Sequence, residues 1–186
     1  MKVLGISGSL RRGSHNTRLL RSAAALLADG DELEVFQGLK AIPAFDEDDE
    51  HSPPEAVLAL RRAIGEADAV LVATPEYNSS IPGHLKNALD WMSRPKDENP
   101  LRDKPAAVVG ASTGMFGAVW SQAEARKVLA SIGARVVDEE LPVLFAHEQF
   151  DGDGVLAEAQ LRERYEAILV ELRGLAEARE PVGAAA

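Results

Sequence analysis

The 186-residue chain predicts a doubly wound α/β sandwich, and three observations predict it. Short apolar runs suited to strands alternate with longer segments of helical spacing through five repeats, the pattern of βαβ units feeding a parallel sheet. The run "AVLVAT" at 69–74 is apolar throughout, as a strand covered on both faces must be. Turn-forming residues gather between a strand and a helix at 7–16, 75–81 and 112–116, the places where such a sheet holds its ligands.

The elements follow in order. "KVLGIS" (Lys2 to Ser7) is the first strand, and "NTRLLRSAAALLA" (Asn16 to Ala28) carries apolar residues at helical spacing. "ELEVF" (Glu32 to Phe36) alternates as a second strand does. A second helix starts at the prolines of "PPEAVLALRRAIGEA", since proline suits a first helical turn, and runs to about Ala67. The third strand, Ala69 to Thr74, leads to "PGHLKNALDWMS" (Pro82 to Ser93), a helix with Leu85, Ala88, Leu89 and Met92 on one stripe. "PAAVVGAS" (Pro105 to Ser112) is the fourth strand, and "GAVWSQAEARKVLASIG" (Gly117 to Gly133) is a helix closed by a glycine. "ARVVDEELP" is a fifth strand, and residues 154–178 form a long last helix. One domain is expected over 1–178, with "REPVGAAA" at 179–186 as a flexible tail.

Composition narrows the function classes. A hydrophobic content of 46% with 27% charged residues describes a globular chain, and no apolar run reaches the length of a membrane span. The segment "MKVLGISGS" is too short and too soon interrupted by glycine for a signal peptide. The absence of cysteine excludes disulfides, cysteine-ligated metals and thiol catalysis, and fits a reducing cytoplasm. A net charge of -10 argues against nucleic acid and anionic membrane as partners.

Against that charge, "GISGSLRRGSHN" sets Arg11 and Arg12 side by side between the first strand and its helix. A glycine-rich turn there presents backbone N–H groups and the positive end of a helix dipole, a seat for phosphate to which Arg11 adds a bidentate contact. The competing reading is a surface turn in which Ser14 caps the helix and both arginines are solvated. The dinucleotide spacing G-x-G-x-x-G is absent, as is the Gly-Lys-Ser/Thr ending of a P-loop. In the second loop Pro75, Asn78, the serines and Pro82 make a short stiff segment, a platform for a flat ring. Taken alone, Tyr77 reads as a turn anchor and Glu76 as a solvated acid.

Three stretches together, "GSLRRGSHN", "TPEYNSSIPGHLKNALDW" and "STGMFGAVWSQ", resemble the NADPH-dependent FMN reductase family. The resemblance implies a flavodoxin-like sheet of order 2-1-3-4-5, bound FMN, and NADPH or NADH as co-substrate. It implies that Ser9, Arg11, Ser14 and Asn16 surround the FMN phosphate with Thr17 close enough to help, and that His15, also at the cofactor, stands where relatives often carry an aromatic residue that makes a ring contact. Arg12 receives no role. It further implies that Pro75, Glu76, Tyr77 and Asn78 lie beside the isoalloxazine, with Ser112 and Gly114 along its other edge. Ala118 and Trp120 depart from the family pattern of a second glycine and an arginine. The expected activity passes hydride from NAD(P)H through FMN to a small acceptor such as a quinone, azo compound or metal oxyanion, in a homodimer or homotetramer. No side chain is required as nucleophile or general base, because the flavin carries the chemistry.

Two rivals share the architecture. A flavodoxin-type FMN electron carrier would not oxidise NAD(P)H, and Arg11 favours the reductase because such carriers hold phosphate with hydroxyls and backbone alone. The other is a flavin-free signalling or scaffold domain, whose phosphorylated receiver form is disfavoured because the first strand ends in "GISGS" and offers no acidic cluster for Mg²⁺. "DEDDE" (Asp46 to Glu50) reads as a solvated loop, not a metal site, and isolated His84 and His147 support no hydrolase triad. Trp91 and Trp120 read as packing residues of a core or subunit interface.

Overall fold

Six parallel strands form one sheet in the computed structural model, which describes residues 1–178. The expected tail at 179–186 lies outside the described residues. In chain order the elements are β1 (Lys2–Ser7), α1 (His15–Ala23), β2 (Glu32–Val35), α2 (Glu55–Glu66), β3 (Ala69–Thr74), α3 (Gly83–Met92), β4 (Pro105–Ala111), α4 (Val119–Ser131), β5 (Arg135–Val136), β6 (Pro142–Val143) and α5 (Ala159–Glu177). The order across the sheet is β2-β1-β3-β4-β5, with β6 also on β4. This is the flavodoxin-like order expected from the resemblance.

The period of two along each strand decides which helices go where. Val70 and Val72 of β3, with Val108 of β4, face α2, α3 and α4 through Val57, Leu60, Leu85, Leu89 and Leu129. Leu71 and Ala73, with Val109, face α1 and α5 through Leu19, Leu20, Tyr165 and Ile168. All residues of β3 and β4 are buried, so both faces of the central strands are covered. Each buried valine or leucine contributes roughly 1.5–3 kcal/mol of transfer free energy, which makes this register costly to shift.

Three elements differ from the sequence expectation. The fifth strand is two short pieces: between the pairs Ala106↔Val136 and Gly110↔Pro142, four steps along β4 are matched by six on its partner. The two extra residues form a bulge that leaves Asp138 and Glu139 in water, where a continuous strand would turn one of the two toward the packed face. Helix α1 ends at Ala23, and tighter turns follow, with Leu26 and Leu27 both donating to the Ala23 carbonyl. These turns lead the chain to Asp31, whose carboxylate lies 3.4 Å from the Arg173 guanidinium. Helix α5 starts at Ala159 instead of Gly154, because the Asp151 carboxylate accepts from the N–H groups of Asp153 and Val155 and holds the preceding segment in a turn.

Trp91 is fully buried, its indole N–H on the Pro43 carbonyl and its ring edge-on to Phe45. Trp120 is not in the core. It is 47% exposed at the start of α4 against Phe116, on the face of the helix opposite the buried Ser121, Gln122, Ala125 and Leu129. Among the described residues no helix is long and apolar enough to cross a membrane, and no group of three or more His, Asp or Glu side chains is arranged to hold a metal.

Candidate functional site

The carboxyl ends of β1, β3 and β4 carry the three loops, and the packing of the strands brings them together. Gly8 donates to the Ala73 carbonyl at 2.8 Å, extending the β1–β3 ladder into the first loop. Ser14 is the N-cap of α1, accepting from the Thr17 N–H at 3.1 Å. Thr17 and Ser7 share a hydroxyl hydrogen bond of 2.8 Å. The Asn16 side chain both donates to the Ala111 carbonyl (2.9 Å) and accepts from the Ala111 N–H (3.0 Å), pinning the first turn of α1 to the end of β4.

What these bonds leave over is a set of donors. Among the described residues, the N–H groups of residues 10–16 find no protein acceptor, and the Arg11 guanidinium has neither an ion pair nor a hydrogen bond. A run of unpaired backbone donors at a helix N-terminus beside a free guanidinium is an anion site by its chemistry.

The second loop is held rigidly. Tyr77 and Ser80 exchange both backbone hydrogen bonds (3.0 and 3.1 Å) around Asn78 and Ser79, which sit at φ 53° and 61°. Two successive residues of positive φ make a tight turn of the kind that asparagine tolerates and serine does not favour. The turn is stapled to α4 from both sides. The Glu76 carboxylate accepts from the N–H groups of Trp120 (3.2 Å) and Ser121 (3.3 Å), capping a helix whose own N-cap, Ala118, has no side chain able to do so. Glu124 reaches back from α4 to the Ser80 hydroxyl (2.5 Å) and the Ile81 N–H (3.3 Å).

The third loop is tied to the segment after β6. Ala146 donates to the Ser112 carbonyl at 2.9 Å and Phe145 to the Gly114 carbonyl at 3.1 Å, while the Ser112 hydroxyl accepts from the Gly114 N–H at 3.0 Å.

Ser9, Arg11, His15, Asn16, Pro75, Glu76, Tyr77 and Ser112 line one cavity of about 330 Å³, with Ala111 and Thr113. Of the other expected positions, Ser14 and Thr17 line a neighbouring cavity, and Asn78 and Gly114 line neither. The side chains of Ser14, Asn16, Thr17 and Glu76 each make a hydrogen bond within the protein that holds the walls of the site, while the Ser14 hydroxyl, engaged as an acceptor, keeps its own O–H as a donor. Sequence reading missed Ser121, Glu124 and His84, whose Nε2 lies 2.9 Å from the Gly8 carbonyl oxygen. No local spacing signals them, since each acts across 40 or more residues.

His15 sits at the cavity wall with its ring stacked toward Phe150, centroids 6.4 Å apart, and its Nδ1 is buried without a partner. Burial, then the charges of Arg11, Arg18 and His147, hold its pKa below the ordinary histidine value. The unfolded chain therefore takes up this proton at a higher pH than the folded chain does, and folding stability falls as pH drops below about 6.5. Replacing His15 by phenylalanine is expected to flatten the stability curve between about pH 7 and 5. Urea denaturation across that range reads the slope, and an unaltered slope would refute the assignment.

Known proteins bear on this arrangement. The family model of NADPH-dependent FMN reductases matches residues 1–148. The chain is 43% identical over 165 residues to an NAD(P)H-dependent FMN reductase of Pseudomonas aeruginosa, covering 88% of each chain. It is 40% identical to an NAD(P)H:quinone oxidoreductase of Solanum tuberosum, over 95% of this chain and 93% of that one. Among solved structures, the flavoenzyme NAD(P)H:(acceptor) oxidoreductase FerB from Paracoccus denitrificans superposes with a TM-score of 0.83 at 32% identity, over 95% of this chain and 97% of that one.

Proposed function

Because this chain belongs to the NADPH-dependent FMN reductase family, we propose that it carries hydride from NAD(P)H through FMN to a quinone or a similar small acceptor. It is an oxidoreductase that uses FMN and NAD(P)H. The residues present fit that cofactor. An FMN phosphate is a dianion, and the cavity offers unpaired N–H groups, an unpaired guanidinium and a buried ring nitrogen without a partner.

Bound FMN would supply the redox chemistry between NAD(P)H and the acceptor. The protein's part is binding and orientation. Arg11 neutralises phosphate charge that the chain's overall excess of acids would repel. The stapled turn 76–80 presents a rigid edge for the ring, with the N–H groups of Glu76 and Asn78 free of protein acceptors. Tyr77, half exposed at the same wall, offers a flat apolar face on which an aromatic acceptor can rest. No acid or base is needed at carbon.

The observation that carries this reading is the meeting of all three loops in one cavity with Arg11 at its rim. Purified protein is expected to be yellow, to release FMN on denaturation, and to bleach under nitrogen when NADPH is added. Colour should return on adding a quinone. Colour without bleaching would leave an electron carrier, and a colourless chain that takes up no FMN would end the proposal. A single domain over 1–178, a homodimer or homotetramer, and a cytoplasmic site belong to the same proposal. The exposed Phe116 and Trp120 rings support the assembly, and the lack of cysteine supports the compartment.

A further inference from the structure

Arg12, which the FMN site leaves without a role, lies in a second cluster of cations. Two adjoining cavities of about 310 and 270 Å³ share Arg12, Thr17 and Arg21. The first also contains Arg18, and the second Arg11 and Lys40. Arg18 and Arg21 are three residues apart on α1 and so share a face of it.

Among the described residues these cations have no anion: Arg12, Arg21 and Lys40 make no ion pair and no side-chain hydrogen bond, and the only contact of the Arg18 guanidinium is the Phe150 ring at 5.4 Å. Other basic residues, Arg94, Lys96 and Lys127 among them, also make no ion pair among the described residues, so what sets this group apart is its gathering around two adjoining cavities. Asp153 lines the first cavity, yet pairs with none of its three arginines. Like charges gathered at one place repel, and a bound anion of charge about -2 removes that repulsion. The positive field is felt by His15, whose proton affinity Arg18 lowers along with Arg11.

We propose that Arg12, Arg18 and Arg21, with Lys40 at the further end, form a second anion-binding cleft that takes a phosphate monoester. Resting on the reading of the chain as an NAD(P)H oxidoreductase, the monoester is the 2′-phosphate of NADPH, the one group that NADH lacks. Position favours that source, because Arg11 and Arg12 are chain neighbours and the first loop alone separates the cleft from the FMN cavity. Inorganic phosphate presents the same chemistry and serves as the second probe.

The test uses the FMN-loaded protein, so that the Arg11 seat is already filled. Calorimetric titration with inorganic phosphate, adenosine 2′,5′-bisphosphate and 5′-AMP is compared between wild type, R12A/R21A and R12K/R21K. Both arginines are exposed and unpaired, so the double variants are expected to keep the wild-type circular dichroism. The bisphosphate is expected to bind more tightly than 5′-AMP, with that advantage reduced at least about tenfold in R12A/R21A and partly restored by lysine. The preference for NADPH over NADH in kcat/KM should fall in parallel, with NADH turnover and FMN content unchanged. Phosphate binding that R12A/R21A abolishes, with an unaltered NADPH preference, keeps the cleft and assigns it to a separate small phosphate. Equal binding of every probe to wild type and variant overturns it. Bisphosphate binding by a protein that oxidises neither nucleotide would defeat the oxidoreductase reading and leave the cleft standing.

Discussion

Arg11→Ala is expected to weaken FMN binding by about 1.5–3 kcal/mol, on the order of 10- to 100-fold in Kd. The guanidinium has no partner within the described protein, so its removal breaks nothing in the fold and the whole effect falls on the ligand. Lysine at the same position keeps the charge but loses the planar fork, and should recover only part of the affinity. Titration of the apo-protein with FMN, followed by quenching of flavin fluorescence, reads the constant, and raised salt should narrow the difference between variant and wild type. An Arg11→Ala protein that binds FMN like the wild type would remove Arg11 from the phosphate site. Charge repulsion by the rest of the chain would then have to be offset elsewhere, and the unpaired N–H groups of residues 10–16 are the remaining donors.

Gly117→Ala is expected to cost about 3 kcal/mol of folding stability, most of it steric. A Cβ at Gly117 would stand 2.6 Å from the Pro142 carbonyl carbon and 2.8 Å from its Cα, which is backbone of β6 and cannot rotate aside. The φ of +57° adds the smaller share, roughly 1 kcal/mol, since Ala118 next to it is tolerated at φ 61°. Relief of the contact must push β6 away from β4 or the third loop away from both. Ser112 and Gly114 then lose their ties to residues 145 and 146, so FMN affinity should fall together with stability. Gly13→Ala is the control: nothing lies within 4 Å of its Cβ position, so its stability should stay near that of the wild type. Urea denaturation compares the two, and a Gly117→Ala midpoint equal to that of Gly13→Ala would refute the steric account.

Both effects depend on how the loops are held, and the hold is mutual. Glu76 caps α4 from the second loop, while Glu124 returns from α4 to the same loop. Asn16 joins the first loop to the strand that begins the third. The first loop is thus tied to the end of β4 and the second to the start of α4, the two elements that flank the third loop.

Much of this was legible before any coordinates. The bounds of β1 and β3 coincide with the runs Lys2 to Ser7 and Ala69 to Thr74, because a strand buried on both faces writes its own composition. The places of the three loops follow from glycine, serine and proline standing where strand passes to helix, and the family was legible in the likeness of the residues they carry. Ser14 as the cap of α1 was foreseen because capping is local, reaching only three residues along the chain.

What could not be read was whatever acts across the chain. The broken fifth strand depends on its register against β4, and that register is invisible in "ARVVDEELP" taken alone. Glu76 reads as a solvated acid until α4 arrives 44 residues later with two unpaired N–H groups for it to accept. Trp120 reads as a core or interface residue, and the structure removes the first choice by turning it to the face of α4 opposite the buried Ser121, Gln122 and Ala125. By itself, then, the sequence determined the alternation and the class of fold, since these arise from side-chain periodicity and short-range backbone preference. Only the tertiary structure decided which donors remain unpaired and which carboxylates are already engaged, because a hydrogen bond is settled by neighbours in space and the neighbours here come from distant parts of the chain.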